Sequence, residues 1–282
     1  MTADSPSRTA LANAYLRAAH QLLDAEPRLL EDPVAVSLLG PAAPEQIQAA
    51  SARYRSAEAL ALRSHVILRS RFTEDRLALA VERGCVQYLM LGAGFETLAS
   101  RQPAWAAALS IVEVDTPATQ QVKRGMLASS GFMEPANLRF AAIDLEREPL
   151  RAGLERHAIP TDVVTFVAWL GMAMSLPEDR VDEVLHTVAQ FPVGSELVMT
   201  FAWPPAPDGA TPAVSSPATR AARAGEPWVT FFTPPVLEQK LRDCGFSRVR
   251  FLTPVEAEQE YFNQRPGDLP APRTATIVTA VR

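Results

Sequence analysis

An α/β fold with a mostly parallel sheet covered by helices on both faces is what this chain predicts, and three observations predict it. The stretch from Cys85 to Arg101 holds a short apolar run, Val86 to Leu91, that stops abruptly at Gly92-Ala93-Gly94, the pattern of a buried parallel strand entering a tight turn. Further apolar runs at Leu109–Asp115, Leu138–Leu145, Asp162–Gly171 and Gly194–Trp203 alternate with helix-like segments, and that alternation specifies a parallel sheet with helical crossovers. The second run ends in Asp115, about 20 residues past the glycines, the spacing at which a carboxylate reaches a ribose in nucleoside-binding sheets.

The elements follow in order. Residues 9–25 place Leu11, Ala14, Tyr15, Ala18, Ala19 and Leu22 at helical spacing, with Arg17 and His20 on the same helix. Leu29 to Leu39 reads as a short helix broken at Gly40-Pro41. From Gln46 to Glu82 the chain is rich in alanine and leucine and lacks glycine and proline, which predicts unbroken helix. A helical cap section, residues 1–82, thus precedes a sheet domain, residues 83–282. Thr116-Pro117 opens a helix over 116–130, with proline suited to its first turn. A polar helix runs to His157. Ser175-Leu-Pro-Glu178 reads as a capping box ahead of a helix with Val181, Val184, Leu185 and Val188 on its core face. Residues 204–227 are too long and irregular for a plain connection and read as a lid on the substrate side. Thr233-Pro-Pro starts a helix that Gly245 closes, and Phe246–Leu252 and Thr274–Val281 are the last strands.

Bulk properties narrow the function. At 282 residues, 48% hydrophobic and 21% charged, the chain is globular and can bury a sizeable core. A formal net charge of −5 and a pI near 5.5 argue against nucleic acid or an anionic membrane as partner, since both need a basic footprint. Cys85 and Cys244 have no metal-ligand spacing and read as buried thiols, and the four histidines are scattered, so no metal site is expected. Without a long apolar run or a signal-peptide pattern, a soluble cytoplasmic protein is expected, with homo-oligomerisation left open.

The candidate site centres on the glycines. Gly92 and Gly94 let the backbone approach a ligand closely at the strand ends, where open α/β sheets bind theirs. Asp115 is the ribose acceptor and Glu113, two residues back, the second choice. Arg69 lies about 20 residues before the glycine turn on a helix leading into the sheet, and can hold a carboxylate bidentately. Arg101 is placed to pin the helix expected after the glycine turn. His20 is the candidate base, with a packed helix histidine as the alternative reading, and Arg17 could attract an anionic substrate.

The combination of Leu91-Gly-Ala-Gly-Phe-Glu-Thr97 with Arg101, Val112-Glu-Val-Asp-Thr-Pro-Ala-Thr-Gln-Gln-Val-Lys123, Asp144-Leu145 and Trp169-Leu-Gly-Met resembles the leucine carboxyl methyltransferase-like family. These are class I S-adenosylmethionine-dependent O-methyltransferases, many of them actinobacterial. The similarity extends to Arg69-Ser-Arg-Phe and to Cys244-Gly-Phe with a closing strand, so it spans nearly the whole chain. It implies a Rossmann-like class I methyltransferase sheet with an antiparallel strand near the C-terminus. It also implies S-adenosyl-L-methionine as cofactor. Gly92, Ala93 and Gly94 would lie under its methionine part, Arg69 on its carboxylate, Asp115 on its ribose, and Asp144 and Leu145 around its adenine. Trp169, in the matching motif, joins this set. Trp169, Met172, Met174 and Tyr261 are candidates for an apolar acceptor pocket.

The chain departs from the family at Glu96, where aspartate is usual, and at Gly171-Met-Ala-Met-Ser-Leu, where a tyrosine is frequent. The expected activity is methyl transfer to a carboxylate or hydroxyl of a small molecule, with the molecules of secondary metabolism as one expected class. The departures motivate two alternatives: a repurposed enzyme of the same fold that catalyses cyclisation or elimination, and a non-catalytic scaffold.

Overall fold

A computed structural model describes residues 5–205 and 216–282. Five helices come first: α1 (Arg8–Leu23), α2 (Pro33–Leu38), α3 (Ala43–Ala49), α4 (Ser51–Tyr54) and α5 (Ala57–Glu82). The sheet strands are β1 (Gln87–Leu91), β2 (Ser110–Asp115), β3 (Leu138–Ala142), β4 (Thr165–Trp169), β5 (Glu196–Thr200), β6 (Arg248–Phe251) and β7 (Ile277–Val281). Between them lie α6 (Pro117–Ser129), α7 (Leu150–Arg156), α8 (Glu178–Val188), α9 (Pro217–Arg223), α10 (Pro234–Asp243) and α11 (Pro254–Ala257).

The strands form one sheet in the order β3-β2-β1-β4-β5-β7-β6. β1 to β5 pair in parallel, and β7 runs antiparallel to both β5 and β6. This is the class I methyltransferase sheet, mostly parallel with the antiparallel strand near the C-terminus. The chain order reverses direction across the sheet at β1 and β4, which leaves a crevice at their carboxyl ends.

Alternation along the strands splits the core in two. Leu89, Leu91, Val112, Val114, Val167 and Trp169 face α7, α8 and α10. Tyr88, Met90, Ile111, Phe166 and Ala168 face α5 through Ile67, Leu68, Phe72 and Leu77. A third cluster joins Ala14 of α1, Val34 and Leu38 of α2 and Leu127 of α6 to Phe95, next to the glycine turn. The N-terminal helices are therefore packed on the turn itself.

Glu196 shows how the sheet is fastened to α5. Its carboxylate lies within the sheet and accepts from Arg76 Nε at 2.7 Å, Arg83 Nη2 at 2.8 Å and Thr279 Oγ1 at 2.7 Å. A buried carboxylate persists only when paired and hydrogen-bonded in this way.

Three local expectations are corrected. The helix expected over 46–82 is broken, because the Ser56 side chain accepts from Ala59 N at 3.3 Å and starts α5 afresh. Ser175 does not cap α8: Pro177 occupies the N-cap position without a side-chain bond. A capping box is instead formed by Thr253 with Glu256 at the start of α11. No α-helix follows the glycine turn. Its place is taken by a three-residue 3-10 turn, Leu98–Ser100, since the Glu96 side chain turns back to accept from Thr97 N at 2.8 Å.

Of the segment expected to be a lid, residues 206–215 lie outside the described residues. The remainder contains α9 and then Glu226, which reaches the start of α1. Its carboxylate accepts from Arg8 N at 2.8 Å, from Ser7 Oγ at 3.1 Å and from Thr9 Oγ1.

Candidate active site

A cavity of about 250 Å³ opens over the carboxyl ends of β1, β2 and β4. Its floor is the glycine turn. Gly92 and Gly94 have φ of +67° and +51°, and a Cβ on Gly92 would come within 2.6 Å of Met172 Sδ. Both the left-handed backbone and the close neighbour demand glycine here. Gly92 N and Ala93 N donate to Val114 O at 2.9 and 3.0 Å, which ties the turn to β2.

Asp115 ends β2 at the cavity wall. One carboxylate oxygen accepts from Gly94 N at 2.7 Å and the other from Thr116 N at 2.7 Å. Burial raises its pKa, against the lowering effect of those two N–H groups. Glu113 is placed differently. It is 1% exposed and its Oε2 meets Lys123 Nζ at 2.5 Å, so the carboxylate is committed inside the protein and does not line the cavity.

Arg17 and Glu96 form the wall on the α1 side. Arg17 donates to Asp32 Oδ2 from Nε at 3.1 Å and Nη2 at 2.8 Å, to Glu96 Oε2 from Nη1 at 2.8 Å, and to Thr97 Oγ1 at 2.6 Å. Burial alone would raise the Glu96 carboxyl, but Arg17 and then Arg101 outweigh it and hold it at about 2. Arg101 extends the network, with Nη1 on Glu74 at 3.0 Å and Nε on Thr97 Oγ1 at 3.2 Å, and so pins the turn without lining the cavity. Arg17 is likewise bound on both sides and is not the loose anion attractor that its helix position suggested.

Arg69 is the exception among these cations. It lines the cavity from α5, with its guanidinium against Gly171, yet has no carboxylate partner among the described residues. Burial and then the neighbouring charge of Arg17 lower its pKa to about 10, and it remains cationic at neutral pH.

Of the residues expected from sequence, the cavity brings together Arg17, Arg69, Gly92, Ala93, Gly94, Asp115 and Met172. Others stand away from it. His20 is 0% exposed, with Nδ1 at 2.8 Å from Asp24 Oδ2 and Nε2 accepting from Leu30 N at 3.4 Å. It is the packed helix histidine, and cannot serve as a base for a cavity it does not face. Trp169 and Leu145 are wholly buried in the core, and Met174 is buried while its carbonyl accepts from Val229 N and Thr230 N. Asp144 Oδ1 accepts from Glu146 N at 3.0 Å and holds the turn after β3. Tyr261 packs on the α5 face, hydrogen-bonded to Asp75.

Several cavity residues escaped the sequence reading. Glu226 arrives from the far end of the chain, Asn13 lies one turn before Arg17 on α1, and Glu146 follows Asp144 and Leu145. For Asn13 a signal existed: it precedes Arg17 by four positions and so shares its helix face. Glu226 falls at the end of the 204–227 segment read as a lid on the substrate side, but nothing in the sequence singles it out within that segment.

The chain is similar to known proteins in sequence and in fold. A family model described as leucine carboxyl methyltransferase matches residues 10–189. Bacillus subtilis YktD, whose name assigns it provisionally to S-adenosyl-L-methionine-dependent methyl transfer, is 28% identical over 223 residues, covering 77% of this chain and 72% of its own. A Streptomyces coelicolor protein of the same provisional naming, SCO7813, is 31% identical, with 68% of each chain covered. Among solved structures, a DUF574 family protein of Streptomyces avermitilis superposes with a TM-score of 0.58 at 17% identity, covering 98% of both chains. A Thermobifida fusca structure provisionally described as a methyltransferase gives 0.58 at 19% identity, over 99% of this chain and 96% of that one. With its sheet order and a family match over more than half its length, this chain belongs to the leucine carboxyl methyltransferase family.

Proposed function

We propose that the protein is an S-adenosyl-L-methionine-dependent O-methyltransferase acting on a small molecule. The observation that carries this reading is the joining, in one cavity, of a glycine floor locked to Asp115 and a half-buried guanidinium, Arg69, without a carboxylate partner among the described residues. Those groups fit the cofactor's parts. Gly92 to Gly94 give backbone approach to the amino-acid chain, Asp115 is an acceptor for vicinal hydroxyls, and Arg69 is a cation for the carboxylate. Glu146, beside Asp144 and Leu145, marks the end where the adenine would lie.

When bound, the cofactor supplies an electrophilic methyl group. The protein's part is to align an oxygen nucleophile with that methyl and to exclude water. Among the charged residues lining the cavity, Arg17 is neutralised by Asp32 and Glu96, Arg69 is assigned to the cofactor, and Glu146 and Glu226 are acids. Among the described residues that line the cavity, no cation is left for an anionic acceptor. This charge pattern favours a hydroxyl over a carboxylate as the methylated group. The test is a panel of matched phenols, alcohols and carboxylic acids assayed for release of S-adenosylhomocysteine. Methyl ethers as products support the hydroxyl assignment, whereas base-labile methyl esters alone contradict it.

A further inference from the structure

The contact between Glu226 and the start of α1 closes one side of the cavity and has no role in the reading above. Glu226 is 9% exposed and lines the cavity. Both its carboxylate oxygens are taken up by three consecutive residues: Oε1 accepts from Arg8 N at 2.8 Å, and Oε2 accepts from Ser7 Oγ at 3.1 Å and from Thr9 Oγ1. Burying a carboxylate is costly without such donors, and the positive end of a 16-residue helix favours it further. The contact joins two stretches of chain more than 200 positions apart.

Each stretch is rooted elsewhere in the cavity wall. Beyond Glu226, Val229 N and Thr230 N donate to Met174 O at 2.8 and 3.1 Å, and Thr230 Oγ1 donates to Leu176 O at 2.5 Å. Residues 226–230 are thus a strap fixed to the turn after β4. On the other side, Ser7 N donates to Thr119 Oγ1 at 3.2 Å, Thr116 Oγ1 donates to the same oxygen at 3.1 Å, and Thr116 N donates to Asp115 Oδ1 at 2.7 Å. The next residues of α1 lie on the cavity floor, since a Cβ on Gly94 would come within 3.0 Å of Ala10 Cβ. Hydrogen bonds therefore lead from the strap, through Ser7, to Asp115 and the glycine turn.

We propose that the Glu226 carboxylate is a clasp that holds the start of α1 over the cavity and sets the rate at which the cofactor enters and its demethylated product leaves. The proposal rests on the methyltransferase reading of the cavity. Glu226 is a positioning residue here: it acts through residues 7–9 and touches no part of the cofactor. The clasp consists of one side chain and its donors, so it opens without disturbing the sheet. Opening gives up every donor to a buried carboxylate, which keeps the open state rare and the exchange of ligand slow. Because the same bonds close the free and the loaded cavity, weakening them raises the entry and exit rates by the same factor and leaves the equilibrium affinity alone.

Rapid-mixing kinetics of S-adenosylhomocysteine on the full chain, beside calorimetry, test it. Glu226→Ala should raise both the association and the dissociation rate constants roughly tenfold or more, the loss of at least one hydrogen bond to a charged group, with an unchanged dissociation constant. Thr9→Val, which removes one donor and keeps the side-chain shape, should act in the same direction and add little to Glu226→Ala, since both cut the same contact. Without ligand, amide hydrogen exchange in the first turns of α1 should quicken in Glu226→Ala while β1 and β4 keep their protection. A weaker dissociation constant with an unchanged association rate would place Glu226 on the ligand and overturn the proposal. Unchanged amide exchange at α1 in Glu226→Ala would overturn the clasp while leaving the methyltransferase reading in place. Absence of S-adenosylhomocysteine binding by the parent protein would overturn that reading, and this proposal with it.

Discussion

Gly94 donates its backbone N–H to the Asp115 carboxylate across 2.7 Å, so the turn after β1 and the end of β2 form one rigid unit. Neither half of the site can move without the other. Substituting Asp115→Ala therefore removes both a ligand acceptor and a brace on the glycine turn. It should weaken S-adenosylhomocysteine binding by about 1–3 kcal/mol, read by calorimetry on protein whose far-ultraviolet spectrum matches the parent. Undiminished binding would remove Asp115 from the site.

The pH dependence of binding carries a sign. Burial raises the pKa of Asp115, so the ionised acceptor is lost on acidification sooner than for an ordinary aspartate. Cofactor affinity should accordingly begin to fall at a pH above the usual aspartate range, and Asp115→Asn should abolish that limb of the profile.

Glu96 predicts an acid limb in stability. Its folded pKa of about 2 lies below the ordinary 4.5, so its contribution is fully present above that ordinary value and disappears as pH falls toward 2. Glu96→Gln should flatten this window and cost about 3 kcal/mol at neutral pH. Urea titrations from pH 2 to 7 read both effects, and an unaltered acid limb in the variant would contradict the pairing with Arg17.

Glu113 and Lys123 supply a third stability test. Both are about 1% exposed and pair at 2.5 Å, so Lys123→Met strands a buried carboxylate. The expected loss is about 3–5 kcal/mol. The double variant with Glu113→Leu should recover much of it, which denaturant unfolding of all three proteins will show.

At Gly171 backbone and site coincide. Its φ is +76° and an added Cβ would lie 2.5 Å from Arg69 Nη1. Gly171→Ala should cost about 1–3 kcal/mol of stability through left-handed strain and displace the guanidinium, lowering affinity for S-adenosylhomocysteine more than for its decarboxylated analogue.

What could be read from sequence was local. β1, β2 and β4 are legible because strands buried on both faces must be continuously apolar, and Gly92 and Gly94 because a ligand floor needs backbone without side chains. The cavity's other wall depends on contacts across the chain. Glu226 meets residues 7–9 more than 200 positions away, as the bond between Arg8 N and its Oε1 records, and no local pattern announces that. Glu113 and Asp115 differ by one pleat repeat, and only the packing of Lys123 against the former decides which of them faces ligand. His20 failed for a related reason: its partner Asp24 lies one helical turn on, where a buried hydrogen-bonded pair and an exposed one read alike.

The central claim is that the cavity formed by Gly92 to Gly94, Asp115 and Arg69 holds S-adenosyl-L-methionine. Calorimetric titration of the purified protein with S-adenosyl-L-methionine and S-adenosylhomocysteine tests it most directly. The account predicts saturable one-to-one binding of both, lost or weakened in Asp115→Ala and Arg69→Met. Absence of binding by the parent protein to either ligand would contradict it, leaving the fold intact and the function reassigned.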